Sequence, residues 1–133
     1  MSIVCEYEFM FNLRVRFLVS GIGIWAAGTV AVRLFGQRLL HPADWRAILA
    51  LFLISFPLMT LLVRRLCARF GLPRAEWPAG AISIALPTLL LDPFSCAFFS
   101  QVFPNIAPDA AGLFGGWMLC CCAGAMAGAV WRR

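Results

Sequence analysis

The sequence predicts an all-α, polytopic membrane protein: one bundle of four transmembrane helices with both termini in the cytoplasm. Composition is the first observation behind this class, because the chain of 133 residues is 62% hydrophobic and only 13% charged, whereas soluble domains carry about 25% charged residues. The length of the apolar runs is the second, since they approach the roughly 20 residues that a spanning helix needs. The 12 Phe and 5 Trp exclude a disordered chain, because disordered segments are poor in aromatic residues.

The first predicted helix covers residues 13–35. Its centre, Phe17 to Val32, carries no charge, and the Arg side chains on both sides of it can reach the headgroup level. A cleaved signal peptide is the alternative, because a basic stretch precedes an apolar one, but three further apolar stretches follow. Residues 1–9 fit the pattern poorly, so we expect a non-native or disordered extension there, and Met10 is a second candidate for the start of translation.

The second predicted helix covers residues 45–70. Asp44 precedes it, and an acidic residue at this position complements the positive end of the helix dipole. Gly71 follows it with Pro73 two residues further on, which is a strong signal for a helix end. We expect Pro57, inside this helix, to kink it, which membrane helices tolerate because neighbouring groups satisfy the freed backbone atoms.

The third predicted helix covers residues 77–99 and is the least regular of the four. Asp92 interrupts its apolar run, and we expect Pro87 and Pro93 to kink or break it. Two interpretations are open. One helix continues through Asp92, or the helix ends at Leu91 and a short second helix begins at Asp92.

The fourth predicted helix covers residues 110–131, which carry no charge. Small residues recur in it at every fourth position, and the first helix has a similar row. Such rows let two helix backbones approach closely in lipid, so we expect these two faces to pack together, or one of them to form a homodimer. A general excess of Gly and Ala is the alternative explanation. The rows consist of Gly112, Gly116, Cys120, Gly124 and Gly128 in the fourth helix, and of Gly23, Ala27 and Ala31 in the first.

The distribution of Arg predicts the orientation. All 11 basic residues are Arg. Eight of them lie in the N-terminal segment, the second connection and the C-terminus, and three lie in the first connection. The positive-inside rule therefore favours cytoplasmic termini, and we expect a multi-pass protein of the bacterial inner membrane. These Arg residues flank apolar stretches and do not form one polar face, so no nucleic-acid partner is expected.

Asp92 is the acidic residue inside an apolar stretch, and a carboxyl group within a membrane is by default a candidate functional group. Three interpretations are open. Asp92 caps a helix that begins at Pro93, it pairs with Arg33, which is predicted for the same side, or it relays protons or ions. The substitution Asp92→Asn separates a relay from a cap, because Asn caps a helix as well as Asp does.

The six cysteines do not form a metal or redox motif. No C-x-x-C spacing occurs, and the chain has only one histidine, His41, which we expect to be a solvated loop residue. The adjacent residues Cys120, Cys121 and Cys122 point about 100° apart on a helix and cannot converge on one ion. We therefore expect small buried packing residues, no metal, no cofactor, no catalytic residue and no enzyme.

Several short motifs resemble an uncharacterised bacterial family of small four-helix membrane proteins, a domain of unknown function. The resemblance covers residues 11–130. It implies the same four-helix architecture and supplies no reaction. The motifs are Gly36 and Gln37 after the first helix, Pro87 with Leu91 and Asp92 in the third, and Phe103, Pro104 and Asn105 in the loop that follows.

The sequence favours a structural or accessory membrane protein, and it does not identify a specific activity. Such a protein lies in the lipid bilayer and acts through helix contacts, either as a homo-oligomer or with a larger membrane protein. The alternative is a small oligomeric transporter or channel that uses Asp92, because this carboxyl group alone is positioned to define a path.

Overall fold

A computed structural model describes residues 3–130, with side chains from residue 8 onward, and contains helices but no strand in that range. Four segments are long and apolar enough to cross a membrane, so the predicted all-α class with four candidate transmembrane helices is confirmed. The cytoplasmic position of both termini stays a prediction. Trp131 and the two terminal Arg residues lie outside the described residues. The helices are α1 (Ile3–Leu39), α2 (Trp45–Arg69), α3 (Trp77–Ala97), the short α4 (Phe99–Val102) and α5 (Ala111–Val130).

The first helix is longer than predicted. α1 begins at Ile3, ten residues before Leu13, so the part of the expected N-terminal extension that the structure describes is helical. The other long helices lie within two residues of the predicted bounds at each end.

The three prolines that were predicted to kink helices lie inside helices that continue past them. Pro57 belongs to α2, and Pro87 and Pro93 belong to α3. Each proline removes one amide hydrogen bond, a loss that packed membrane helices tolerate. Because α3 runs through Asp92 as far as Ala97, the interpretation in which a new helix begins at Asp92 is wrong.

Hydrogen bonds between neighbouring residues determine the turn between α2 and α3. Gly71 has a φ of 65°, a left-handed conformation that glycine adopts at little cost. The amide of Gly71 donates to the carbonyl of Ala68 at 3.1 Å, and the amide of Leu72 donates to that of Cys67 at 3.0 Å, which together form a Schellman motif. The indole Nε1 of Trp77 then donates to the Leu72 carbonyl at 2.9 Å, so the first residue of α3 is tied to the end of α2.

The four long helices are arranged in the spatial order α1, α3, α5, α2. α3 packs on both α1 and α5, and α5 also packs on α2, whereas α1 and α2 contact each other little. Residue numbers rise together along the α1–α3 and α2–α5 contacts, so each of these pairs is parallel, as four alternating crossings require. The contacts that show this are Phe17 with Gly80, Gly21 with Ile84, Phe56 with Gly124, and Thr60 with Gly128.

Two hydrophobic clusters lie at opposite ends of the bundle, and the helix segments between them line the cavities described below. In the Phe103 cluster three phenyl rings lie 5.0 to 5.9 Å apart. The Trp77 cluster contains Leu13, Phe17, Val63, Cys67, Leu72, Trp77, Ala81, Ile84 and Ala125. The Phe103 cluster contains Val32, Leu40, Phe99, Phe103, Ile106, Ala110 and Phe114.

The small residues of α5 pack on α2. A Cβ atom on Gly124 would lie 2.5 Å from the Phe56 carbonyl oxygen, and one on Gly128 would lie 2.5 Å from that of Thr60. The two backbones therefore touch at these glycines, as small residues permit. The hydroxyl of Thr60 also donates to the Gly124 carbonyl at 2.8 Å, which adds a polar link between the helices.

The same row continues toward the other end of α5 with looser contacts. A Cβ atom on Gly116 would lie 3.5 Å from the Phe52 ring, and the Cys120 thiol donates to the Phe52 carbonyl at 3.7 Å. Around Gly112 nothing lies within 4 Å of such an atom. The predicted pairing of this row with α1 is therefore wrong, because α2 occupies the face.

α1 uses a different glycine for its own close contact. Gly21 lies directly against the backbone of Ile84 in α3, with no room for a side chain. Gly23, Ala27 and Ala31 face away from the bundle and are exposed, because residues two apart on a helix point about 200° apart. Whether that outward row forms a homodimer remains a prediction.

Candidate functional site

The interior of the bundle contains the carboxyl group of Asp92, which is only 6% exposed. Its Oδ1 accepts a hydrogen bond of 2.9 Å from the indole Nε1 of Trp25, which links α3 to α1. Its Oδ2 is also buried, and no described residue donates to it. A buried polar atom without a partner costs about 1–3 kcal/mol, and more if it is charged, so this oxygen is the candidate functional atom.

The structure contradicts two of the three interpretations of Asp92, the helix cap and the ion pair with Arg33. It lies inside α3, so its side chain does not cap a helix start. Arg33 is exposed, and its Nη1 donates to the carbonyl of Val102 at 3.2 Å, so the predicted pair with Asp92 does not form. The relay interpretation remains a prediction.

Asp92 lines a cavity of about 210 Å³ between α3 and α5, which we call the Asp92 cavity. Leu89, Pro93 and Leu119 in its wall are exposed, so the cavity opens on the outer face of the bundle. Apart from Asp92 and Thr88, its wall is made of apolar and sulfur-containing side chains and one glycine. The remaining wall residues are Cys96, Gly115, Met118 and Cys122.

A second cavity of about 200 Å³, the central cavity, lies in the cleft where α1 and α2 separate. α3 and α5 form its floor, and Trp25, the donor to Asp92, lies in its wall. Trp117 also lines it and donates to the Ser55 hydroxyl at 2.7 Å. The residues shared by the two cavities are Thr88, Met118 and Cys122.

Comparison with known proteins identifies a family to which most of this chain is similar. A model of a family of unknown function (DUF5367) matches residues 39–133, which is more than half of the chain. The chain belongs to this family. The match confirms the predicted resemblance to an uncharacterised family, although it begins at the last residue of α1. No curated protein and no solved structure matches the chain.

The DUF5367 match includes Asp92 and both helices of its cavity, but Trp25 lies outside it. The hydrogen bond from Trp25 to Asp92 therefore joins a helix outside the matched segment to a helix inside it. The α1 motif at Gly36 and Gln37, part of the sequence resemblance, also lies outside the matched residues.

The cysteines that the structure describes are distributed along three helices. Cys96 donates to the Ala111 carbonyl at 3.9 Å, Cys122 lines both cavities, and Cys67 is buried in the Trp77 cluster. Within residues 8–130, no group of three His, Cys, Asp or Glu side chains is arranged to hold a metal ion. The side chain of Cys5 lies outside the described part of the chain.

Sequence reasoning missed the two tryptophans that complete this site. Tryptophan in membrane proteins is typical of the water interface, yet Trp25 and Trp117 lie well inside apolar runs. A buried indole N–H needs an acceptor, so a tryptophan far from an interface indicates a polar partner inside the bundle. That signal identifies both donors, although the acceptors Asp92 and Ser55 are found only in the folded chain.

Proposed function

We propose that this protein is a small multi-pass membrane transporter that binds its solute beside Asp92. The observation that carries the proposal is the buried Oδ2 atom of Asp92, which has no partner among residues 8–130. Intramembrane carboxyl groups are costly to bury, and where they occur they mark substrate or ion pathways and proton relays. The Asp92 cavity supplies space for a solute beside this residue.

The relation between the two cavities supports a path through the bundle. Three residues line both the Asp92 cavity and the central cavity, and one of them is Met118, whose unbranched side chain changes rotamer readily. α1 and α2 contact each other little, so the cleft between them can change width while the α1–α3 and α2–α5 contacts persist. Rocking of one helix pair against the other is a common basis of alternating access.

We further propose that the transporter lies in the bacterial inner membrane with both termini in the cytoplasm. The excess of Arg near the N-terminus, around the C-terminal end of α2 and at the C-terminus supports this orientation. The proposal includes no catalytic step, no cofactor and no nucleic-acid partner.

Solute flux into proteoliposomes tests the proposal. Purified full-length protein is reconstituted, and uptake of labelled benzylguanidinium, benzylurea and benzenesulfonate is compared with uptake by protein-free vesicles. We expect at least one of these solutes to enter faster with the protein, and Asp92→Asn to return that rate to background.

The matched control is Asp109→Asn, the same substitution at an exposed position outside both cavities; it should keep the wild-type rate. Uptake of all three solutes at the protein-free rate, or equal uptake by wild type and Asp92→Asn, contradicts transport through Asp92.

The structural or accessory role is a second candidate, supported by one specific observation. Gly23, Ala27 and Ala31 form an exposed row on α1, where a helix of another copy or of a larger partner can approach closely. Chemical cross-linking in native membranes tests this role. A cross-linked species that Gly23→Leu abolishes supports it, and a monomer under all conditions contradicts it. Gly112→Leu is the control, because Cβ atoms at both positions have open space.

A further inference from the structure

We infer that the Asp92 cavity binds an organic cation that carries N–H donors on a small apolar body. This inference rests on the proposed transport function and adds the chemical class of the solute. Three features of the cavity support this class of solute: the carboxyl oxygen without a donor, the apolar wall, and the position of the opening.

The carboxyl group of Asp92, which lines the cavity, has one oxygen without a hydrogen-bond donor. Trp25 fixes Oδ1 through its hydrogen bond of 2.9 Å, and Oδ2 lies buried without a donor from any residue between 8 and 130. A carboxylate only accepts hydrogen bonds, so the ligand has to supply the donor. A cation with an N–H group does so and also neutralises the charge, as buried carboxylates require.

No ion pair between Asp92 and a cation occurs among residues 8–130. The predicted partner, Arg33, uses its Nη1 for the Val102 carbonyl, and the neutral indole of Trp25 contributes a hydrogen bond without a charge. A ligand cation therefore meets a carboxyl group whose charge is not already balanced by an ion pair within the described residues.

The wall of the cavity fits an apolar body of about the size of a phenyl ring. Leu89, Pro93, Met118 and Leu119 contribute to a cavity of about 210 Å³, and an apolar cavity of about 150 Å³ is large enough to bind benzene. Met118 adds a thioether, which packs well against aromatic rings. A charged group at Oδ2 with an aromatic ring against these side chains uses both parts of the cavity.

The position of the cavity opening indicates that the ligand is amphiphilic. It lies between α3 and α5 at the exposed residues Leu89, Pro93 and Leu119. These residues belong to segments that are long and apolar enough to span a membrane. A solute has to pass along the apolar outer surface of the bundle to reach this opening. This route favours a cation with a substantial apolar part over a small hydrated ion.

Equilibrium binding to the purified full-length protein in detergent micelles tests the inference. The probes are labelled benzylguanidinium and its neutral near-isostere benzylurea, which has the same ring and a similar planar head without the charge. We expect wild-type protein to bind benzylguanidinium at least about 30-fold more tightly than benzylurea, the scale expected when one partner of a buried charge pair is lost. Asp92→Asn should remove that preference while its amide oxygen still accepts from Trp25.

A second variant keeps the inference testable even if Asp92→Asn does not fold. Leu119→Trp narrows the opening and leaves Asp92 in place. The matched control is Leu53→Trp, because Leu119 is 63% exposed and Leu53 is 65% exposed, and only Leu119 lines the cavity. We expect weaker benzylguanidinium binding in Leu119→Trp and wild-type binding in Leu53→Trp and in Asp109→Asn.

Three results would overturn the inference: no binding of benzylguanidinium to wild type, equal binding of benzylurea, or equal effects of Leu119→Trp and Leu53→Trp. The flux assay separates this inference from the proposed function. Cation-selective, Asp92-dependent binding without uptake into vesicles supports the site and contradicts transport. Asp92-dependent uptake of benzenesulfonate or benzylurea in preference to benzylguanidinium supports transport and contradicts the cationic ligand.

Discussion

At the scale of single residues, the hydrogen bond from Trp25 to Asp92 joins side chains that lie 67 positions apart in the chain. It satisfies the indole N–H and one carboxyl oxygen, and it leaves the second oxygen for another donor. In the proposed solute site, Trp25 is therefore a positioning residue for Asp92, since its hydrogen bond occupies Oδ1 and leaves Oδ2 without a donor.

Replacing Trp25 tests this positioning role. Trp25→Phe keeps an aromatic ring but removes the N–H, which leaves Oδ1 of Asp92 without its donor. We expect a loss of about 1–3 kcal/mol in the free energy of unfolding, the usual cost of an unsatisfied buried polar group, measured by denaturant titration in micelles. Trp45→Phe, at a residue that is 64% exposed, is the control. Equal stability of the two variants would show that the bond contributes nothing.

Sequence reasoning identified Asp92 because an acidic residue in an apolar run is conspicuous by itself. It did not identify Trp25 as the hydrogen-bond donor to Asp92. The predicted helix cap and the predicted ion pair with Arg33 are both wrong. The helix signal at Pro93 was overridden because α3 continues through that residue, and Arg33 lies near the short helix α4, where it binds the Val102 carbonyl. Which side chains meet Asp92 depends on how α1 rotates against α3, and this rotation is set by Gly21.

At the scale of helices, glycines decide where backbones touch. Gly21 sets the α1–α3 contact, and Gly124 and Gly128 set the α2–α5 contact. The sequence predicted the α5 row and its close-packing role but not its partner helix, because a row of small residues defines a face and not what covers it. The spatial order of the helices, with α5 between α3 and α2, supplies the missing information.

A pair of matched substitutions on α1 tests the role of Gly21. Gly21→Ala places a methyl group against the backbone of Ile84, which cannot move aside as a side chain can. We expect it to destabilise the fold by about 1–3 kcal/mol, as overpacking of a tight contact does. Gly23→Ala adds the same methyl group where nothing lies within 4 Å and should change little.

Denaturant unfolding of both variants in the same micelles measures the difference. If Gly21→Ala is as stable as Gly23→Ala, then α1 does not pack on α3 at Gly21.

At the scale of the whole molecule, apolar clusters lie at the two ends of the bundle, and two cavities lie along the helix segments that connect them. The Trp77 cluster and the Phe103 cluster hold the helices together at opposite ends. The central cavity, with the hydrogen-bonded pair of Trp117 and Ser55, lies where α1 and α2 diverge, and the Asp92 cavity lies between α3 and α5. Apolar packing therefore stabilises the two ends of the bundle, and the cavities between them leave space for side chains to change conformation.

Composition and run length predicted the four helices because each helix is specified by its own residues. The central cavity was not predicted, because it arises where α1 and α2 fail to touch. The lack of contact between α1 and α2 depends on the order of the helices in space. These two helices are consecutive in the chain and yet lie at opposite ends of the order α1, α3, α5, α2.

The most direct test of the central claim is to label Asp92 with the lipid-soluble reagent dicyclohexylcarbodiimide in intact membranes and locate the adduct by mass spectrometry. If Asp92 faces a solute cavity that opens on the apolar surface, the adduct forms at Asp92, and benzylguanidinium slows its formation while benzylurea does not. Absence of the adduct at Asp92 when exposed Asp109 is labelled, or labelling that benzylguanidinium leaves unchanged, would contradict a solute site at this carboxyl group.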